Sequence, residues 1–543
     1  MKQTLSLTAA VLALAWLAGC DLTIRSQPAV PPKKVVKKKV LVPKQPKPKV
    51  DTSEELAVID QAFRDSHKQA SFSSNPEEAA VHRVGQELEK FVEVGPTLVV
   101  WLIDRTSSSF PLATAAVRGA KEFYRSEVVK EWSLSEEPKL LSVVAELDDK
   151  VELLVDPPTG DPQVMRDAFD KITQSDAGKE LTFAAVKQIL ERYDSVRREQ
   201  RQLVIVLVSD EAGDDTTLAD EVVARLKRNA IPVYAIGYPA PWGQENPFQK
   251  SAERGVKNAG GEEGADAWPK HGPESHASER VHLPLPAAGF GFRSAEMDDL
   301  VDSGFGPLGI ERLCRAGGGA FLAVRRSGGS FASFGGSRLW PTGAETGFDE
   351  GVASRYAPDY VSAADYEKLL AASKARRALV EAAKIGRVDV LDNPNLSFPK
   401  AANEAQMKRQ LDEAQQVSAR VAPQLDRLYE ALLPGEADRE QLTGRRWQAQ
   451  FDYALGRVLA AKARNDGYNQ MIAALKAGKG PKDVATYTLE PADSYETSSA
   501  LRKMAEKSRM YLERVVKEHP GTPWAKFAEE DLKAPMGWKW QGT

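Results

Sequence analysis

The stretch Leu98-Val99-Val100-Trp101-Leu102-Ile103-Asp104-Arg105-Thr106-Ser107-Ser108 decides how this chain is read. An apolar run without polar alternation is the pattern of a strand buried on both faces, as in a parallel sheet. The run stops at a carboxylate, followed by hydroxyls at alternate positions, before a helical pattern from Leu112 to Val117. In open α/β sheets, ligands sit where the carboxyl ends of strands meet helix starts. Asp104, Thr106 and Ser108 offer one carboxylate and two neutral hydroxyls, hard oxygen ligands suited to Mg²⁺ or a similar cation. The hydroxyls from Thr106 to Ser109 suit an ordinary helix cap equally well. From this stretch alone both readings stand.

Moving outward, strand and helix patterns alternate. Glu77 to Phe91 carries helical spacing. Leu140 to Ala145 and Val151 to Val155 flank the turn-like Asp148-Asp149-Lys150 and read as a hairpin, one antiparallel edge on an otherwise parallel sheet. Helices are expected at 162–172 and 183–193. Leu203 to Val208 is a second apolar run, ending in Ser209-Asp210, with a crossover helix at 218–226 and further strands at 232–237 and 320–324. This rhythm predicts an α/β fold with a doubly wound, mostly parallel, Rossmann-like sheet.

The span from 95 to 324 resembles the von Willebrand factor A (VWA) family, and Asp104-x-Thr106-x-Ser108 resembles that family's metal-ion-dependent adhesion site (MIDAS). The resemblance implies that a threonine from a separate loop and an aspartate after a later buried strand complete the site. Thr182 stands at the matching loop-to-helix junction and Asp210 at the matching strand end; Thr159 and Thr173 are weaker candidates for the threonine. The implied cofactor is Mg²⁺, or Mn²⁺ or Ca²⁺ in its place. The implied chemistry is adhesion, the cation bridging to an acidic side chain on a protein partner. There are departures: Thr106 replaces the usual serine, Glu211 follows Asp210 where glycine is common, and the loop before Thr182 lacks the usual glycines.

Residues 1–19 have a basic start and a short apolar core, the pattern of an export signal rather than a spanning helix. Leu17-Ala18-Gly19-Cys20 resembles a bacterial lipobox, which implies cleavage before Cys20 and a diacylglycerol on its thiol. Acyl chains there would make this a membrane-anchored lipoprotein facing the periplasm or the cell surface. Residues 20–52 are dominated by Pro, Lys and Val, a composition that keeps a chain extended. Their lysines suit either anionic headgroups or a solvated stalk, and residues 53–94 read as a helical lead-in. The whole chain is 42% hydrophobic and 28% charged with a formal net charge of −4, acids and bases interspersed, so no nucleic-acid partner is expected. With Cys20 lipidated, Cys314 has no partner, and its place on an apolar helical face marks a buried thiol.

A long excursion at 238–305 interrupts the α/β pattern. Excursions of that length inside a compact domain are usually functional or disordered. Its place near the carboxyl ends of the strands suits a lid or specificity loop beside the cation, or an ordinary excursion. It holds His271, His276 and His282, without helical zinc-site spacing because Gly272 and Pro273 intervene. A Gly- and Pro-rich linker is expected at 325–358, then a separate all-α region at 359–543. There Trp447, Phe451, Tyr453, Ala454, Leu455, Val458 and Leu459 would line one helix face. The turn His519-Pro520-Gly521-Thr522-Pro523-Trp524-Ala525 resembles the joint of tetratricopeptide helix pairs; a plain helical bundle accounts for the pattern as well. No Gly-x-Ser-x-Gly elbow or His-Glu-x-x-His helix is present, so the expectation is a non-enzymatic binding protein. The alternative is a structural scaffold acting through its helical region, with a vestigial metal site.

Overall fold

The computed structural model describes residues 75–542, except 177–178, 199, 244–272, 285–301, 326–347, 350, 392–393, 401–402 and 496–497. The export signal, Cys20, the Pro/Lys linker, His271 and most of the excursion lie outside the described residues.

The first helix, α1 (Pro76–Val94), leads into β1 (Thr97–Asp104), in which all eight residues are buried. Then come α2 (Phe110–Phe123), α3 (Glu127–Ser133), β2 (Leu140–Leu147), β3 (Val151–Leu153) and α4 (Pro162–Phe169). Next are α5 (Thr182–Arg192), α6 (Asp194–Arg198), β4 (Gln202–Val208), α7 (Ala219–Asn229), β5 (Val233–Gly237), α8 (Leu308–Gly317) and β6 (Phe321–Ala323). The sheet order is β3-β2-β1-β4-β5-β6, parallel throughout except for the β2–β3 hairpin.

Side-chain alternation along β1 explains why its run is apolar throughout. Val99, Trp101 and Ile103 face one core with Val204, Val206, Val208 and residues of α1, α2 and α4. Leu98, Val100 and Leu102 face the other, with Leu203, Ile205, Leu207 and residues of α5, α7 and α8. Each fully buried Val or Leu contributes about 1.5–3 kcal/mol, so a polar residue on either face of β1 would be costly. The one polar group in the run is satisfied: Trp101 Nε1 donates to Tyr124 Oη at 2.9 Å, which donates to Ser142 Oγ at 2.8 Å. Cys314 is fully buried in the second core, and burial raises its thiol far above the ordinary range.

The order reverses between β1 and β4, whose neighbours β2 and β5 lie on opposite sides. Their carboxyl ends therefore open a crevice, the switch-point position of open α/β sheets. Asp104 ends β1, and Ser209 and Asp210 follow β4 directly.

The C-terminal region holds α9 (Ala363–Ala372), α10 (Lys374–Lys384), α11 (Glu404–Glu436), α12 (Arg445–Lys476), α13 (Ser499–Glu518) and α14 (Pro523–Lys533). α9 and α10 are separated at Ser373, whose hydroxyl caps α10 by accepting from Arg376 N. α12 is buried nearly all round, as expected of the central helix of a bundle. That corrects the expectation of a single apolar face. Trp447, Phe451, Ala454, Leu455, Val458 and Leu459 join one cluster, whereas Tyr453 belongs to another with Trp242 and Trp524. A small antiparallel sheet, β7 (Ser397–Pro399), β8 (Thr486–Ala492) and β9 (Gly537–Gly542), is also present, in a region read from spacing as helices alone. It is tied to the bundle by Trp538, whose Nε1 donates to Arg464 O at 2.8 Å.

The α/β and helical parts share buried surface. Trp242 and Phe305 of the excursion pack with Phe348, Tyr356 and Trp524, and Val281 and Leu283 pack among α10, α11 and α12. Phe348, Ala353 and Tyr356 fall within the stretch read as an exit linker, and all three are buried. Among the described residues no helix is long and apolar enough to cross a membrane.

Candidate metal centre

Asp104 is fully buried and held by three donors. Its Oδ1 accepts from Thr106 N at 3.0 Å and Thr106 Oγ1 at 2.7 Å, and its Oδ2 accepts from Ser209 Oγ at 2.9 Å. Ser109 stands at the N-cap position of α2, but its side chain makes no capping bond, so simple helix capping does not account for this hydroxyl-rich turn. Ser108 Oγ lies 3.4 Å from Thr106 Oγ1 and 3.5 Å from Asp210 Oδ1, which brings the β1 and β4 loops together.

A third loop, before α5, is anchored from the β4 loop. Glu180 N donates to Asp214 Oδ2 at 3.2 Å and Asp214 N donates to Glu180 O at 2.8 Å. Asp215 caps α5 from across the crevice, its carboxylate accepting from Phe183 N at 3.1 Å and Ala184 N at 2.6 Å. Thr182 is therefore the first residue of α5, fully buried, with no hydrogen-bond partner for its Oγ1. Gly213 makes this approach possible: a Cβ there would lie 2.9 Å from both Thr182 Cβ and Oγ1, and its φ of +82° favours glycine. Thr159 instead pairs with Ser142 beside β2, and Thr173 is exposed.

The same loop delivers a residue that sequence reading passed over. Glu180, 4% exposed, sends Oε1 to within 2.8 Å of Thr106 Oγ1 and 3.5 Å of Ser108 Oγ; its Oε2 is buried without a partner. Asp104, Glu180 and Asp210 each offer an oxygen within 4.8 Å of the others, and all three are buried. The only signal in the sequence was an acid two positions before Thr182, in a loop where the resembled family has glycines.

Three ionised carboxylates this close repel by roughly 3 kcal/mol or more per pair at an effective dielectric of about 20. Burial, then the charges of Asp104, Glu211 and Asp210, push the Glu180 carboxyl up to about 10. Burial foremost raises Asp104 as well, and burial with the charges of Asp104 and Glu211 raises Asp210. Arg105 turns away to Asp148 at 2.7 Å and Glu146 at 3.4 Å. The Thr106 hydroxyl lies beside two acceptors, Asp104 and Glu180, and has one proton for both. Protons or a cation must supply the missing positive charge. Carboxylate and hydroxyl oxygens form a hard donor set suited to Mg²⁺, Mn²⁺ or Ca²⁺, and the unpartnered oxygens of Glu180 and Thr182 fit such an ion.

The two described histidines of the excursion have other partners. His276 Nε2 pairs with Val361 O at 2.9 Å and His282 Nε2 with Ser278 Oγ at 3.2 Å. Val281 and Leu283 pack against the helical region, where Arg446 donates to Glu274 and Arg457 donates to Leu283 O.

No family model matches this chain, and no curated protein matches it by sequence. Solved structures do match. Manganese-loaded TRAP protein of Plasmodium vivax is 17% identical over 26% of this chain and 57% of its own, at a TM-score of 0.22. The vWF domain of the type V pilus tip protein Mfa5 of Porphyromonas gingivalis is 19% identical over 21% and 38%, at 0.18. An aerotolerance-related membrane protein of Bacteroides fragilis is 13% identical over 42% and 91%, at 0.23. This chain spans less than two thirds of the first two. On its own strand order, its antiparallel edge and the three loops that meet over β1 and β4, the α/β part of this chain has the von Willebrand factor A fold.

Proposed function

We propose that this protein is a non-enzymatic binding protein of the cell envelope, anchored through a lipidated Cys20, that grips a protein partner through a divalent cation. The observation supporting the reading is the meeting of Asp104, Thr106, Ser108, Glu180 and Asp210 at the sheet's switch point, with Thr182 buried on the adjoining loop. Asp104 and Asp210 would hold the ion, with the hydroxyls and water completing its shell, and an acidic side chain of the partner would approach it. A cation bound there would supply a point of positive charge, and Asp104, fixed by three donors, would hold it in place.

Isothermal calorimetry with Mg²⁺ and Mn²⁺ tests the site. The intact chain should bind one ion per molecule, and Asp104→Ala should abolish binding; unchanged affinity in that variant sinks the reading. Cysteine labelling with radioactive palmitate in a bacterial host, compared with Cys20→Ser, tests the anchor. Partner capture with and without chelator then separates cation-dependent adhesion from scaffolding. The scaffold alternative is favoured by one feature, the fusion of the excursion to the helical bundle through buried ion pairs. Partner retention in chelator would select it.

A further inference from the structure

We propose that Glu180 is a built-in ligand of this site, occupying the place an incoming acidic side chain would take, so that the cation-loaded domain is closed to acidic partners until Glu180 withdraws. This rests on the cation reading above and concerns how that site is regulated.

Three observations carry it. First, Glu180 is aimed into the cluster: Oε1 is 2.8 Å from Thr106 Oγ1, and Oε2 is buried with no partner. A second unpartnered oxygen, Thr182 Oγ1, lies two residues on and is fully buried. Two such orphans are uncommon in a native interior and call for a specific explanation, such as an ion.

Second, the charges count against an open site. Asp104 and Asp210 together neutralise a doubly charged ion. Glu180 brings the carboxylates to three, leaving the loaded cluster one negative charge in excess. An excess of that sign repels a partner's carboxylate. More anionic oxygens in the shell also tighten the hold on the ion.

Third, Glu180 is the member built to move. Asp104 is tied by three hydrogen bonds on a short side chain at the end of β1. Glu180 has a longer arm, and its Oε1 meets the hydroxyls of Thr106 and Ser108. Its backbone is pinned to Asp214. Withdrawal therefore needs only side-chain rotation, with the loop in place.

Mn²⁺ binding to the intact chain, followed by water-proton relaxivity per bound ion, provides the test. Glu180→Gln should weaken Mn²⁺ binding about tenfold and raise relaxivity, because an exchangeable water replaces the carboxylate. Adding acetate should lower that relaxivity in the variant and leave the wild type unchanged. Equal affinity and equal relaxivity in the two proteins would overturn the proposal while the cation site stands. Absence of Mn²⁺ binding to the wild type would overturn both. Glutamine is isosteric and adds no charge to the buried cluster, so the variant should fold, as circular dichroism would verify. Should it not, Glu180→Asp draws the carboxylate back by one methylene and is read by the same relaxivity.

Discussion

Arg446 on α12 donates to Glu274 Oε1 at 2.6 Å, joining two residues 172 positions apart, both almost completely buried. The same guanidinium donates through Nε to Glu279 Oε2 at 2.9 Å. Burial foremost raises the Glu274 carboxyl, and the Arg446 charge opposes that rise. This triad locks the excursion from the α/β domain onto the helical bundle. It also explains why the two parts form one compact unit instead of separate bodies.

Removing the cation at the centre of that triad should be severe. Arg446→Ala leaves two buried carboxylates uncompensated, and breaking a buried pair in this way costs about 3–5 kcal/mol. Urea unfolding would show the loss. Replacing all three members with apolar residues should recover much of it, because the desolvation cost disappears along with the attraction.

Divalent cation should stabilise the fold by mass action. At an ion concentration about 100 times the dissociation constant, one site adds about 2.7 kcal/mol. Differential scanning calorimetry of the wild type should show a rise in Tm on adding Mg²⁺ or Mn²⁺, reversed by chelator. Asp104→Ala should show neither.

His519 should make stability depend on acidity. It is 1% exposed, its Nδ1 lies 3.0 Å from Tyr356 Oη, and burial, then the charges of Arg439 and Arg445, lower its pKa to about 4. The imidazole is therefore neutral in the fold, while an unfolded histidine titrates near 6.5. Between those values the unfolded chain binds more protons. The contribution is complete above about 6.5, declines as pH falls, and is gone below about 4. Its size is at most about 3 kcal/mol. Unfolding free energies measured from pH 7 down to 4 should carry this slope, and His519→Gln should remove it.

Gly213→Ala should disturb the site without removing a ligand. The new Cβ would meet Thr182 at 2.9 Å and sit at a φ of +82°. An L-residue forced into the left-handed region there should cost more than about 1 kcal/mol. Mn²⁺ affinity should fall alongside stability as α5 is pushed from the crevice, which paired titration and denaturation would reveal.

The architecture of the α/β domain was legible because its signals are local. Uninterrupted apolar runs, a hairpin turn and alternating periodicities report burial on two faces whatever the rest of the chain does. Asp104 and Asp210 were readable for the same reason, as charges that end such runs. The residues that complete the crevice were not. Glu180, Asp214 and Asp215 lie in irregular loops with no periodicity, and their meaning comes from neighbours about 30 to 70 positions away. The β7–β8–β9 sheet escaped notice because its strands are short, far apart and set among strong helical patterns.

By itself the amino-acid order determined the layers of the α/β domain, the central place of β1 and the carboxylates at its switch point, since each follows from which faces of a strand must leave water. Only the tertiary structure decided that a third carboxylate enters the cluster, and that Glu274 and Glu279 are buried against Arg446. Both are meetings of charges from distant loops in a dry interior, where closeness, not sequence spacing, sets the energy.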